Sequence, residues 1–412
     1  MSALRLSRLS SLRALRHRDF ALILSGAALS NIGTWMEVLA LGVYVTKVTG
    51  RAEWTGGIAA LTFLPAIVLS PLGGVLADRF DRRRYVALGT ALEFLLAGTL
   101  ATLAFTGNLT VGAVAVVSFL NGCVTSLFLP AFTALIASVV PKDDLHSALS
   151  LDSAQYNVGR ICGPALGAAV VSLAGVEWAL LVNALSFLAV LVALGFVRGV
   201  APAPEAVRSE SLWAGIAQGV KVARGDPGIA LALLGTLAVA FCIAPFTALA
   251  PVMAIRVLDL DAGATSLLVG AQGTGSLVAA LVAGSLADRF GRGRLLEWCL
   301  LLIGLMAAAY WLSPSLPFAV VAVLGLGSLY MLTNTGLATL CQSRVPGEMR
   351  ARIASLSGML LYAGFTAGVW LQGALADRLG VRLVTASAAL SFFVLAVTLR
   401  SLRPRAFAVL ET

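Results

Sequence analysis

Gly73-Gly74-Val75-Leu76-Ala77-Asp78-Arg79-Phe80-Asp81-Arg82-Arg83-Arg84 lies between two long apolar runs. It returns as Gly284-Ser285-Leu286-Ala287-Asp288-Arg289-Phe290-Gly291-Arg292-Gly293-Arg294. The offset from Asp78 to Asp288 is 210 residues in a chain of 412. A charged loop repeated half a chain apart, apolar on both flanks, points to a membrane protein of two homologous halves. A second pair of loops supports this. Val140-Pro141-Lys142-Asp143-Asp144-Leu145 parallels Val345-Pro346-Gly347-Glu348-Met349-Arg350 at nearly the same period, 205.

Composition agrees. The chain is 59% hydrophobic and 12% charged, against roughly 25% charged in ordinary globular proteins, and its mean hydropathy is +0.94. Lipid permits only helices or closed barrels, because every backbone N–H and C=O must be paired internally. The apolar segments do not alternate with polar residues, so the fold class is all-α.

About twelve spans are expected. They cover 20–46, 54–77, 85–106, 110–130, 148–174 and 176–197, then 228–256, 263–287, 294–312, 317–340, 353–376 and 381–399. The basic residues ahead of the first run superficially resemble a secretory signal. The run continues to about Val45, too long for one, so it reads as a retained first span. This divides the chain into an N-terminal six-helix bundle (1–197), a linker (198–227) and a C-terminal six-helix bundle (228–412). The linker opens Ala201-Pro202-Ala203-Pro204-Glu205. Its Leu212, Trp213, Ile216, Val220 and Ala223 then fall on one face of a helix expected to lie on the membrane surface.

The net charge of +9 sits in short basic clusters between spans, as membrane topology requires and nucleic-acid binding does not. Of 29 lysines and arginines, Lys47, Arg51, Arg256, Arg378 and Arg382 fall on one side, Arg160 falls inside a span, and the other 23 share the opposite side with both termini. Both termini are therefore expected in the cytoplasm. The five cysteines (Cys123, Cys162, Cys242, Cys299, Cys341) lie in or beside apolar segments and read as reduced packing residues. The two histidines, His17 and His146, fall in loops and suggest no metal site.

Gly74-x-Leu76-Ala77-Asp78-Arg79-x-x-Arg82-Arg83 resembles the signature of major facilitator superfamily transporters between spans two and three. Gly159-Arg160-Ile161-Cys162-Gly163-Pro164-Ala165-Leu166-Gly167 is similar to the span-five signature of the antiporter branch. Pro130-Ala131-Phe132-Thr133-Ala134-Leu135 followed by Val140-Pro141 looks like the drug and siderophore exporter-like (transmembrane secretion effector-like) subgroup. The resemblance implies two bundles rocking in alternating access. It also implies a cytoplasmic gate at Asp78 and Arg82, with Asp78 docking on the start of span eleven. Gly74, Arg79, Asp288, Arg289 and Arg292 complete the gating motif and its repeat, while Arg83 and Arg84 are expected only to enforce topology. Three departures stand out. Asp81 replaces the usual glycine, span four carries no charge, and Leu375-Ala376-Asp377-Arg378 places a third copy of the tetrapeptide on the outer side without an evident purpose.

Ionisable residues within spans are functional candidates, since each costs roughly 2.5–3.5 kcal/mol or more at mid-bilayer. Glu37, Glu93, Asp152 and Arg160 are the candidates here. Glu37 is expected to take up and release the coupling proton, with Arg160 as charge partner or substrate contact. Asp152, Gln155, Tyr156, Gly159, Arg160 and Gly163 share one helical face that should line the cavity, joined by Asn31 and Trp35 from span one. The span-five motif comprises Gly159, Gly163, Pro164 and Gly167. In the second half the cavity candidates are Phe241, Phe246, Gln272, Tyr330, Asn334, Tyr362 and Trp370. Pro245 is expected to open span seven, because a mid-helix proline frees a backbone carbonyl.

The function expected is proton-driven export of amphipathic or hydrophobic organic molecules from the inner or plasma membrane. The partners expected are a small organic substrate, protons and the lipid bilayer, with no nucleic acid, and the protein is expected to be a monomer. No cofactor is expected beyond the proton motive force. A proton-coupled importer or lipid translocator of the same fold is the alternative. A membrane-embedded enzyme would need a catalytic pattern such as H-E-x-x-H or G-x-S-x-G, and a sensor would need a large soluble domain; neither is present in the sequence.

Overall fold

The computed structural model describes residues 12–198, 212–346 and 349–402. The Pro-rich stretch of the linker, Gly347 and Glu348 of the second repeated loop, and Arg5, Arg8, Arg403 and Arg405 lie outside the described residues, as do the side chains of Leu212, Trp213 and Ile216. Every described segment of any length is helical. In chain order the helices are α1 (Arg18–Thr49), α2 (Ala52–Phe63), α3 (Ala66–Arg79), α4 (Arg82–Phe105), α5 (Val111–Ser138), α6 (Leu145–Leu173) and α7 (Val176–Phe196). After the linker come α8 (Leu212–Gly225), α9 (Pro227–Cys242), α10 (Ala262–Phe290), α11 (Arg292–Trp311), α12 (Leu316–Arg344), α13 (Arg350–Leu379) and α14 (Val381–Leu402).

Ten helices among the described residues are long and apolar enough to cross a membrane, or eleven if α8 and α9, bent by 118° at Pro227, count as one broken span. The twelve expected spans differ from this at two places, each with a physical cause. Helix α6 has the length, 29 residues, but its polar stripe lowers its hydropathy. Helix α9 stops at Cys242 and gives way to irregular turns around Pro245, followed by a π-helical turn at Met253–Val257. The second span, Ala52–Arg79, is broken at Leu64 and Pro65 into α2 and α3.

Contacts divide the chain into two compact units, Met1–Leu41 with Val68–Ser209, and Gly42–Ile67 with Glu210–Thr412. The end of α1 and all of α2 thus group with the C-terminal half, which the sequence repeat does not suggest. Glycine contacts explain the grouping. A Cβ on Gly56 would meet the Val369 carbonyl at 2.5 Å, and one on Gly373 the Ala52 carbonyl at 2.7 Å. Helix α2 therefore lies backbone to backbone with α13.

Polar side chains close the helix ends, where backbone N–H groups lack partners within the helix. The Thr110 hydroxyl accepts from Ala113 N at 3.1 Å, and Asp261 accepts from Ala264 N at 3.1 Å. Asp226 accepts from the N–H groups of Gly228 and Ile229 at 2.7 and 3.2 Å, ahead of Pro227 at the first helical position. The final carbonyls of α7 are met by cations. Arg18 donates to Phe196 O at 3.1 Å and Arg83 to Gly195 O at 2.9 Å. Arg83 thus caps a helix C-terminus besides adding to the charge bias. Helix α8 packs on α13 within the second unit, where Gly219 faces Leu356 and Ile353 and Arg352 donates to Gln218.

The loop before α6 is tied to the short 3-10 turn Arg13–Arg16. Asp144 pairs with Arg13 Nε at 3.0 Å and with His17 Nε2 at 2.8 Å, and Ala14 N donates to the Ser147 hydroxyl at 3.2 Å. The His17 hydrogen bond, aided by the charges of Arg13 and Arg16 and opposed by desolvation, holds the Asp144 carboxyl below the ordinary carboxylate range. A carboxyl depressed in this way stabilises the fold fully above its unfolded value of about 3.9, and the contribution is lost as pH falls through the lower folded value. Asp144→Asn should therefore lower the thermal midpoint in detergent at neutral pH. Its deficit relative to wild type should shrink in scans taken below about pH 3.9.

Candidate transport site

Helix α6 carries the polar face read from the sequence, and small residues bring it against α1. A Cβ on Gly159 would lie 3.0 Å from Asn31 Cβ, one on Gly163 2.6 Å from Trp35 Cβ, and one on Gly167 3.1 Å from Met36 Cα. These glycines recur every fourth residue, so one stripe of α6 faces α1 with no side chain between the backbones. The span-five motif is thus a packing surface, with Pro164 buried inside the same helix.

That contact brings the polar residues together. Asn31 donates to Gln155 at 2.8 Å, and Gln155 donates to Asp152 at 3.0 Å. The Arg160 guanidinium lies 5.5 Å from the centre of the Trp35 ring, which meets Tyr156 edge-on at 6.0 Å. A cation over an indole face is held by the ring quadrupole. The Arg160 Nε atom is buried with no hydrogen-bond partner, and among the described residues Arg160 forms no ion pair. Asn31, Trp35, Asp152, Gln155, Tyr156 and Arg160 therefore form one constellation, with Tyr156 exposed at its edge.

Glu37 lies apart from that stripe. It is 9% exposed and accepts from Asn183 of α7 at 2.6 Å. A Cβ on Gly33 would strike Ser186 at 2.5 Å, so α1 and α7 are in close contact here as well. Glu93 of α4 accepts from Thr125 of α5 at 3.0 Å. Each is held by a neutral donor, and no lysine or arginine among the described residues pairs with either. Asn183 was missed in the sequence because one amide within an apolar run carries no pattern of its own.

In the second unit the Pro245 break behaves as expected, with one addition. The ring removes the donor that would have met the Phe241 carbonyl, and Gln372 of α13 replaces it, donating to Phe241 O at 2.8 Å and Cys242 O at 3.3 Å. Gln372 is 4% exposed. It too was unrecognisable in sequence, since its partner is 131 residues away. Phe246 is buried among Tyr310 and Tyr330, with ring centres 6.4 and 5.6 Å away. Gln272 is buried against α12, where Gly327 meets its backbone carbonyl. Asn334 donates to the Tyr330 carbonyl of its own helix. These residues pack between helices in this structure.

Trp370 does line a cavity. A space of about 780 Å³ lies between α2 and α13, walled by Trp54, Gly57, Ile58, Leu61, Leu64, Ile67, Ala363, Ala367 and Trp370, with Arg51 and Glu53 also on its wall. Thr366, on the same wall, has a buried hydroxyl without a hydrogen-bond partner. Tyr362 stacks on Phe63 alongside, ring centres 6.0 Å apart. This mostly apolar space with few polar groups is within the size range of small-molecule sites.

The loop repeats also acquire a geometry. Asp78, Arg79, Asp288, Arg289 and Arg292 are exposed, and Arg289 lies over Phe290. Gly73 packs on the carbonyls of Ser126 and Leu127, but a Cβ on Gly74 would meet nothing within 4 Å. Asp81 manages without glycine's freedom. It adopts φ −58°, and its side chain accepts from Arg84 N at 2.8 Å to cap α4, with Arg82 as the first helical residue. Gly291, at φ 83°, makes the equivalent turn in the second copy.

A family model described as transmembrane secretion effector matches residues 9–410. Macrolide efflux protein A of Streptococcus pyogenes is 27% identical over 371 residues, covering 88% of this chain and 90% of that protein. The multi-drug resistance efflux pump PmrA of Streptococcus pneumoniae is 28% identical over 388 residues, covering 90% and 91%. Among solved structures, a mutant of the nucleoside transporter NupG superposes with a TM-score of 0.76 at 14% identity, covering 96% of this chain and all of that one. That likeness shows the fold.

Gly163→Ala tests the α1–α6 contact. The added methyl has no room, so thermal stability in detergent should fall by about 1–3 kcal/mol, the usual cost of overpacking. Gly74→Ala, with open space at the same atom, should leave the unfolding midpoint unchanged.

Proposed function

Because the chain belongs to the transmembrane secretion effector family of the major facilitator superfamily, a family of multi-pass membrane transporters and not enzymes, we propose that it exports small amphipathic or hydrophobic organic molecules across the cell membrane in exchange for protons. The observation that carries the proton coupling is the setting of Glu37 and Glu93. A carboxylate paired with a buried arginine is fixed in its charged form. These two are bonded to an amide and a hydroxyl, so each can gain or lose a proton without breaking an ion pair. Glu37 is the primary carrier and Glu93 a second candidate. Protonation of Glu37 changes what α1 presents to α7, and α1 also carries the Asn31 and Trp35 side of the polar constellation.

Substrate recognition follows from the second unpaired charge. Arg160, stacked on Trp35 and without a carboxylate partner, offers a cation and an aromatic edge to a molecule with an acceptor group and an apolar body. The aromatic cavity between α2 and α13 suits the same kind of molecule. Efflux relatives named for macrolides and for multiple drugs support export over import. The basic bias puts both termini in the cytoplasm, and Asp78, exposed at the last turn of α3, serves as the gating carboxylate on that side.

Expression in a drug-hypersensitive bacterial strain tests this. Cells carrying the protein should accumulate less of at least one amphipathic drug, and a protonophore should abolish the difference. Glu37→Gln should insert normally yet fall to the accumulation seen with empty vector. Asp78→Asn should do the same through loss of gating. Unchanged efflux in Glu37→Gln, with its pH dependence intact, would remove Glu37 as carrier.

A further inference from the structure

Three copies of Leu-Ala-Asp-Arg end three helices, α3, α10 and α13. The third copy repeats more than the tetrapeptide. Gly380 follows Asp377 at the spacing by which Gly291 follows Asp288, and the two turns match, with φ 95° and ψ 138° at Gly380 against φ 83° and ψ 139° at Gly291. The structure gives this copy partners. Both carboxylate oxygens of Asp377 accept from the start of α2, one from Ala52 N and the other from Glu53 N, each at 2.9 Å. Arg256, on the π-helical turn before α10, donates to the same carboxylate, and Arg51 Nε lies 3.7 Å away. Helix α2 has no cap from its own N-cap residue, Arg51. Its exposed N–H groups and the positive end of its dipole are met by an acid 325 residues away.

We propose that Asp377 is a gating residue of the transport cycle: it clasps the N-terminal end of α2 to the last turn of α13 and releases it once in each cycle. This inference rests on the export reading, whose charge bias puts this end of α2 on the outer side. Three observations argue for a working contact. The second span is broken at Leu64 and Pro65, between α2 and α3. The α2 piece can therefore swing without carrying α3. The arginines of the clasp are water-accessible, Arg51 at 54% and Arg256 at 29% side-chain exposure, while Asp377 itself is at 10%. Water can thus reach the bonds and replace them. Arg51 and Glu53 also wall the 780 Å³ cavity between α2 and α13, so parting the helices at Asp377 opens that cavity at its rim.

The test uses the full-length protein in cells, with its five native cysteines replaced and Ala60, on the cavity wall, changed to cysteine. A membrane-impermeant maleimide added outside reports opening. Asp377→Asn removes the charge and one of two equivalent acceptors, so the labelling rate should rise about tenfold, the shift expected from losing one hydrogen bond to a charged group. Efflux should fall at the same time. Arg256→Gln keeps both backbone bonds and should raise labelling less, in the same direction; it also carries the test if Asp377→Asn does not insert. A clasp that only stabilises the fold would lower the thermal midpoint and leave the labelling rate of the folded protein unchanged, and that result would overturn the proposal. Undiminished efflux in Asp377→Asn would overturn it as well. If labelling rises but the unmutated protein moves no candidate drug, the clasp stands and the export reading fails.

Discussion

The carbonyl of Phe241, whose helical donor is missing at Pro245, accepts from the side chain of Gln372. In lipid an unpaired backbone group costs several kcal/mol, and the rest of the fold can be read as the ways this chain avoids that cost. Most of it does so with unbroken helices. Where a helix is broken or begins, a side chain from elsewhere takes over. Gln372 serves the Pro245 break and Asp377 the start of α2. Each substitution of side chain for backbone joins two helices that could otherwise slide freely, so the places where the helix pattern fails are also where the helices are tied together.

Small residues supply the second ingredient. Apolar side chains gain little by meeting one another in a solvent as apolar as they are, so close backbone approach carries much of the specificity of packing. The glycine stripe of α6 turns that general rule into a site. With α1 brought to contact distance, Arg160 reaches the Trp35 ring and Gln155 reaches Asn31. The same close packing leaves Glu37 with an amide for a partner. Structure and chemistry are therefore one arrangement: a polar face assembled by glycines bears a cation without a counter-ion, and α1, which closes that face, also carries Glu37, a carboxylate without a cation.

Much of the fold could be read from the sequence. The repeat of the Asp78 loop at Asp288 revealed two halves, and long apolar runs marked most helices to within a few residues, missing the end of α5 at Ser138 and the stop of α9 at Cys242. The polar stripe of α6 could be read because helical periodicity places its members on one face, and the Pro245 break because proline's missing donor is a local fact. Contacts that depend on distant partners could not be read. Asn183, Gln372 and Ser147 are isolated polar residues whose meaning appears only when a second helix is packed against them. The third Leu-Ala-Asp-Arg copy shows the limit most clearly. Its sequence matches a loop signature, but its role depends on the helix start that faces it, and that helix belongs to the opposite half of the repeat. Likewise, the grouping of residues 42–67 with the C-terminal half arises from glycine contacts to α13 and leaves no trace in hydropathy.

The proton carrier, the gate at Asp78 and the clasp at Asp377 all require alternating access, in which the protein opens on one side of the membrane as it closes on the other. Pulsed electron paramagnetic resonance reads this out as distances, on two pairs of spin labels in lipid nanodiscs. One pair sits at positions 80 and 294 on the basic face and the other at positions 108 and 312 on the opposite face. Alternating access predicts two distances for each pair, with populations that move in opposite senses when pH is lowered or an exported drug is added. A single distance in each pair, unmoved by either condition, would contradict it.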